Sequence, residues 1–288
     1  MKELVVISGK GGTGKTSIVA SFAAFAKDKV MADCDVDAAD LHLLLEPRIK
    51  RREEFRSSKS AVIDPERCVQ CEKCREVCRY QAISQNYVVD KIACEGCGVC
   101  VHFCPEQAIE LRENLSGEWF ISDTRFGPLV HAKLGIAEEN SGKLVAVVRQ
   151  NAKALAQEEG LDLVLVDGAP GIGCPVISSI AGATAVLVVT EPTLSGIHDM
   201  KRVVDLAAHF QIPAFLCINK FDLNPELTSQ VQEFCGRHRL KLVGKIPYDN
   251  VVTKAMVQGK TVVEYSSGLV AKEIEKLWRQ LEYALAGG

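Results

Sequence analysis

A chain of 288 residues with 47% apolar side chains can bury one large core, or one large domain and a small module. Charged residues make up 25% and the formal net charge is −3, so the basic excess that a nucleic-acid surface needs is missing. The apolar run after Met1 is too short for a secretion signal, and no stretch approaches the ~18 apolar residues of a membrane helix, so a cytoplasmic chain without stable membrane insertion is expected. Lys2 to Ser8 is a β-branched run that ends in glycines and reads as a buried strand. Lys15 to Lys27 keeps helical spacing through Ile18, Phe22 and Phe25, and Val30 to Cys34 reads as a second strand.

After Leu45 the texture changes. Glu46 to Ser60 is charged and serine-rich and reads as a boundary, with a cysteine-rich module from Ala61 to about Glu113. Glu118–Ser122 and Val130–Leu134 read as strands, and Leu144, Val145, Val148, Ala152 and Leu155 form a helical stripe. Further strands are expected at Leu163–Val166, Ala185–Val189, Ala214–Ile218 and Leu242–Ile246, with a last helix around Leu269 to Leu285. Alternating strands and helices predict an α/β fold, a mostly parallel sheet flanked by helices. The expected division is 1–60 and 115–288 for this host domain, with 61–114 as a small α+β insertion at an exposed loop.

Two motifs carry the chemistry. Gly9-Lys10-Gly11-Gly12-Thr13-Gly14-Lys15-Thr16, followed by Ser17, satisfies G-x4-G-K-[ST] between a strand and a helix. Such glycines let backbone N–H groups close around phosphate oxygens, and the helix N-terminus adds positive charge. Lys15 is expected on the β and γ phosphates and the Thr16 hydroxyl on Mg²⁺. The second motif is C-x2-C-x2-C-x3-C, present as Cys68, Cys71, Cys74, Cys78 and again as Cys94, Cys97, Cys100, Cys104, each cysteine recurring 26 residues later. Twelve cysteines in all, without a secretory leader and with this tight spacing, point to metal in a reducing compartment rather than to disulfides. The duplicated x3 spacing favours two [4Fe–4S] clusters over zinc.

The cysteine runs resemble a bacterial two-cluster ferredoxin, in which the fourth cysteine of each run crosses to the other cluster. That resemblance implies one cluster on Cys68, Cys71, Cys74 and Cys104, and another on Cys94, Cys97, Cys100 and Cys78. Proline follows the second run at Pro105, whereas Arg79 follows the first.

The phosphate loop, with Lys10 added, resembles the deviant Walker A family that includes MinD, ParA, the Mrp-type proteins and the nitrogenase iron protein. There the extra lysine acts across a dimer interface on the partner's nucleotide, which implies that role for Lys10. Asp33-Cys34-Asp35-Val36-Asp37 resembles the first switch, with Asp35 orienting the attacking water and Asp33 and Asp37 supporting or solvated. Asp167-Gly168-Ala169-Pro170-Gly171 resembles the second switch, with Asp167 holding Mg²⁺ through a water. Asn219 and Lys220, and Pro247 and Asp249, stand where the family recognises adenine. The chain is similar throughout to MinD/Mrp-superfamily ATPases with an inserted ferredoxin domain, and Thr124–Ala132 and Glu138–Gly142 look characteristic of that subgroup.

Cys34, Cys174, Cys217 and Cys235 lie outside the repeat. Cys217 and Cys235 read as small core residues. Cys174 has the offset from Asp167 at which the nitrogenase iron protein binds a subunit-bridging cluster, but no second cysteine matches, so an unliganded thiol is expected. The scattered histidines read as satisfied or solvated.

The leading expectation is a Mg²⁺-dependent ATPase, cycling between ATP and ADP, that couples nucleotide state to electron transfer. Its partners are a second identical chain or a paralogous ATPase, and a redox protein. A carrier or scaffold for iron–sulfur cluster assembly is the second reading, and a MinD-like spatial regulator the third.

Overall fold

The computed structural model describes residues 1–135 and 141–287, so Glu138, Glu139 and Asn140 lie outside the described residues. In chain order the elements are β1 (Lys2–Ile7), α1 (Lys15–Phe25), β2 (Lys29–Asp33), α2 (Leu41–Leu45), β3 (Arg48–Ile63), α3 (Lys73–Glu76), α4 (Val99–Phe103), β4 (Ile109–Thr124) and β5 (Gly127–Leu134). They continue as α5 (Ser141–Glu158), β6 (Leu163–Asp167), α6 (Cys174–Ile180), β7 (Ala185–Thr190), α7 (Leu194–His209), β8 (Ala214–Asn219) and α8 (Pro225–His238). Last come β9 (Lys241–Ile246), α9 (Val251–Val257), α10 (Val262–Tyr265) and α11 (Leu269–Leu285).

Nine strands join in the order β3-β4-β5-β2-β6-β1-β7-β8-β9. β1 runs parallel to both β6 and β7, β2 to β5 and β6, and β8 to β7 and β9. The expected mostly parallel sheet flanked by helices is therefore what forms. Strands covered on both faces can be apolar throughout, and every residue of β2 and all of β1 after Lys2 are buried.

Two compact units result. The first holds Met1–Glu53, Trp119–Lys133 and Ser141–Gly288, and the second centres on Glu54–Glu118. The core of the first lies where α1 and α11 cover the sheet, with the Phe22 and Trp278 rings 5.2 Å apart. Helix α11 spends its apolar stripe there: Val270, Ile274, Leu277, Trp278 and Leu281 are all buried. A buried ion pair ties the start of β1 to α5. Arg149 donates to both oxygens of Glu3, at 2.9 and 2.6 Å, and to the carbonyls of Ser178 and Ala181.

The charged stretch Glu46–Ser60 holds the division between the two units, at Glu53 and Glu54, and it does so within a strand. Most of it forms β3, a strand of 16 residues. A strand needs only its backbone ladder to be paired, so charged side chains are tolerated where they remain in water. The Arg51 and Arg52 guanidinium groups use their flat faces on the rings of Trp119 and Phe120, at 5.4 and 6.0 Å. Residues 61 and 114 consequently fall within β3 and β4.

The turn between β4 and β5 explains the Thr124–Ala132 stretch. Thr124 Oγ1 donates to the Gly127 carbonyl at 2.7 Å and accepts from Phe126 N–H at 3.1 Å. Arg125 grips both oxygens of Glu264 at 2.9 Å and donates to the Gly259 carbonyl at 3.1 Å. His131 is buried, 2.9 Å from Ser122 Oγ, and stacks on Phe120.

Burial, with repulsion from His42, lowers the His131 pKa from 6.5 to about 4. The folded state therefore holds the ring neutral, whereas the unfolded chain takes a proton near pH 6.5. This contribution to stability is complete above pH 6.5 and is lost progressively as the pH falls toward 4, by on the order of 3 kcal/mol at the limit. His131→Gln should flatten the decline of the denaturation midpoint over that interval. Equal slopes in the two proteins would contradict the assignment.

Candidate functional site

In a parallel sheet every carboxyl end reaches the same edge, and loops leaving those ends can meet there. The loops after β1, β2, β6, β8 and β9 line one cleft of ≈ 390 Å³ in the first unit. The loop after β1 contributes Ser8, Gly11, Gly12, Thr13 and Gly14, and α1 contributes Lys15, Thr16 and Ser17. Asp35, Ala38 and Asp40 follow β2, Pro170 follows β6, and Asn219 and Lys220 close β8. Pro247, Tyr248 and Asp249 follow β9, and Val252, Thr253 and Met256 come from α9.

The loop keeps its shape through glycine and one amide. Gly14 sits at φ 88°, a left-handed conformation that side chains resist. A Cβ there would also stand 2.4 Å from Asn219 Nδ2. That amide is fixed because it donates to the Thr13 carbonyl at 2.7 Å. Asn219 thus braces the loop's backbone as well as facing the cleft.

Beneath the loop, three carboxylates face one ammonium. Lys15 is 5% exposed, pairs with Asp167 and lies 3.5 Å from Asp35. Burial alone would lower its pKa, but Asp167 and Asp35 outweigh that and hold it above the ordinary lysine range. Asp33 is fully buried, and burial together with Asp167 raises its carboxyl well above the usual range. Its oxygens accept from the Asp35 and Leu41 N–H groups, both at 3.2 Å, which pins the two ends of the loop carrying Asp35. Asp35 is raised by burial, with Lys15 opposing. The second oxygen of Asp167 is buried without a hydrogen-bond partner. Asp37 is exposed.

Gly9 and Lys10 stand apart from the cleft lining. A Cβ on Gly9 would meet Asp199 at 2.4 Å, so this glycine permits close packing against α7. Lys10 pairs with Glu191 of its own chain at 2.7 Å. Sequence reasoning missed Glu191, Tyr248 and the α9 residues. A glutamate directly after an apolar strand was the available signal for the first.

The second unit repeats itself in backbone geometry. Positive φ angles at Gln70, Glu72 and Gln81 recur 26 residues on, at Gly96, Gly98 and Gln107. Cys68 N–H donates to the Asp64 carbonyl at 3.0 Å, and Cys94 N–H does the same to Asp90. The second half has glycine at 96 for a reason of space, since a Cβ there would lie 2.2 Å from the Lys59 carbonyl. Two enclosed spaces follow from this repetition. One is lined by Cys68, Cys71, Cys74 and Cys104 and the other by Cys94, Cys97, Cys100 and Cys78, and each is small, ≈ 20 Å³. Each space takes three thiols from one run and the fourth from the other. Ala108 and Ala61 N–H groups donate to the sulfurs of Cys104 and Cys94, at 3.3 and 3.5 Å. Among the described residues, no three His, Cys, Asp or Glu side chains converge closely enough to hold a single metal ion.

The remaining thiols separate clearly. Cys34, Cys217 and Cys235 are buried, and burial raises the pKa of all three, that of Cys235 to about 11. Cys174, at the start of α6, is exposed.

Residues 4–262 match the model of the CobQ/CobB/MinD/ParA nucleotide binding domain family. The chain belongs to that family. A Methanocaldococcus jannaschii relative, the uncharacterized protein MJ0578, is 32% identical over 283 residues, covering 97% of this chain and 96% of the relative. A second protein of the same organism, MJ0579, is 24% identical and covers 92% of this chain and 94% of its own length. Among solved structures, the Pyrococcus furiosus cell division ATPase MinD superposes with a TM-score of 0.60 at 20% identity, covering 98% of this chain and 99% of that one. At that identity the likeness is one of fold. Among the described residues no helix is long and apolar enough to cross a membrane.

The glycines of this nucleotide-binding loop are not equivalent. A Cβ on Gly11 meets nothing within 4 Å, whereas one on Gly14 meets Asn219 from a left-handed backbone. Gly14→Ala should cost about 1–2 kcal/mol of stability without any ligand present, and Gly11→Ala under about 0.5. Thermal unfolding of the two variants checks the contrast, and equal losses would refute it.

Proposed function

We propose that this member of the MinD/ParA-type family is an ATPase whose nucleotide state is coupled to electron transfer through two [4Fe–4S] clusters. One observation carries the reading: a chain with a phosphate-binding cleft also rings two separate spaces with four thiols each, every set drawn from both cysteine runs.

The donor set fits the clusters. Zinc asks its sulfurs to close on one ion at ~2.3 Å, and no three side chains converge that way among the described residues. Four thiols around the rim of a shared space suit a larger, polynuclear group. When bound, such clusters supply one-electron transfer. The chain's own part is to hold each set, to exclude water with Ile83 and Ile109, and to direct N–H groups at two of the sulfurs.

The cleft fits MgATP. Asp33, Asp35 and Asp167 outnumber Lys15, and the unpaired Asp167 oxygen leaves an acceptor for a cation's water shell. Mg²⁺, when bound, offsets charge on the phosphates. Thr16 would hold it with Asp167, while Lys15 and the loop N–H groups bind phosphate oxygens. Asp35, whose pKa is raised by burial, is suited to orient water and accept its proton. Water's oxygen bonds to the γ-phosphorus as the bond to the β–γ bridging oxygen breaks, giving ADP and phosphate. Lys10 of a second chain, identical or paralogous, neutralises the charge that develops. The presence of two relatives in one archaeon supports a paralogous partner. A redox protein completes the system.

The fold likeness to MinD favours the spatial-regulator reading as the alternative. Against it stands α11, whose apolar stripe is spent inside the core.

Anaerobic preparations should contain about eight irons per chain. Cys71→Ser should lose about half of them, and Cys174→Ser none. Cluster potentials, and rates of transfer to a redox partner, should differ between the ADP, ATP-analogue and nucleotide-free states. Identical values in all three reject coupling, and iron that moves readily to an apo-acceptor favours a carrier for cluster assembly.

A further inference from the structure

We propose that Glu191 is a positioning residue, which holds the Lys10 ammonium within its own subunit until a second copy of the chain docks across the cleft. The inference rests on the reading above, in which Lys10 acts on the partner's nucleotide.

Three groups hold the lysine. Its ammonium lies 2.7 Å from Glu191 Oε1 and donates to the hydroxyls of Thr193 and Ser195, both at 3.3 Å. These acceptors belong to the end of β7 and the first turn of α7, so a single structural corner supplies them all. The acceptors are fixed, whereas the lysine rides on a flexible stem. Glu191 Oε2 takes the Lys220 ammonium at 3.0 Å, and that ammonium also donates to the Gly12 carbonyl at 3.1 Å. The Glu191 carbonyl accepts from Thr193 N–H at 2.8 Å, and a Cβ on Gly196 would lie 2.6 Å from it. Thr193 is itself committed as the N-cap of α7, accepting from Gly196 N–H at 3.0 Å.

A Lys10 that reaches another subunit's phosphates must therefore leave one charge pair and two hydrogen bonds behind. Glu191 remains paired with Lys220 when this happens, so release strands no bare carboxylate. Burial opposes ionisation of Glu191, but the two lysines outweigh it and keep the group charged near neutral pH. Two identical subunits break two such contacts on docking, and the dimer dissociation constant carries the holding equilibrium squared.

The test uses the full chain, prepared anaerobically, with Mg²⁺ and a non-hydrolysable ATP analogue. Sedimentation equilibrium should give a dimer dissociation constant about tenfold tighter for Glu191→Gln than for the native chain, since a part-exposed pair is worth about threefold per subunit. Ser195→Ala, which removes one hydrogen bond and leaves Glu191 in place, should shift it the same way by less. In a Lys10→Ala background, Glu191→Gln should change nothing, a result that a merely structural role for Glu191 would not produce. An unchanged or weaker dimer in Glu191→Gln, or a shift that persists without Lys10, overturns the assignment alone. A native chain that binds the analogue yet stays monomeric at every concentration overturns the dimer reading itself, and this assignment with it.

Discussion

Three carboxylates share one ammonium beneath the phosphate loop, and the nucleotide-binding unit is arranged around that deficit of positive charge. Lys15 cannot neutralise Asp33, Asp35 and Asp167 together, so burial leaves two of the acids held above their usual range. The parallel sheet imposes this crowding. β2 and β6 are neighbours in register, with Asp33 opposite Asp167, and β1 delivers Lys15 from the other side of β6. A site built this way attracts a cation and its anionic cargo as a pair. The cation alone would relieve the imbalance, whereas the anion would deepen it.

The second unit solves a different problem. It has few apolar side chains to bury, and its own cluster consists of Ala61, Ile83 and Ile109 with cysteines. A unit so poor in core needs another source of order. Its backbone repeats one set of turns, and those turns set the thiols around the two spaces. Hydrogen bonds that begin at Asp64 and Asp90 fix each half at the same point before its first cysteine. The pairing of a charge-rich cleft with thiol-lined spaces in one chain is what the functional proposal draws on.

Much of this was legible in the sequence because it is written in local spacing. The glycine loop between a strand and a helix, the apolar runs and the duplicated cysteine spacing each involve residues within about ten positions of one another. The sheet follows from them, whereas the exchange of the fourth thiol between the runs was implied by the resemblance to two-cluster ferredoxins. Less legible was anything that depends on distant contacts. Lys10 and Thr193 are separated by 183 positions and meet only because β1 and β7 are neighbours. Met256 and Val252 face the cleft from a helix too short to leave a periodic signal. The charged run was legible as a division between units but not as the strand β3, for a related reason. Composition reports solvation, whereas a strand is decided by its backbone partners, here β4 with Trp119 and Phe120 beneath the arginines.

The exchange of the fourth cysteine between the two runs also makes the small unit indivisible. A chain cut anywhere from 79 to 93 would leave Cys78 on one fragment and Cys94, Cys97 and Cys100 on the other, while Cys104 parts from Cys68, Cys71 and Cys74. Neither fragment retains a full ring of sulfur. The repeat therefore cannot be dissected into halves that each keep four thiols around one space.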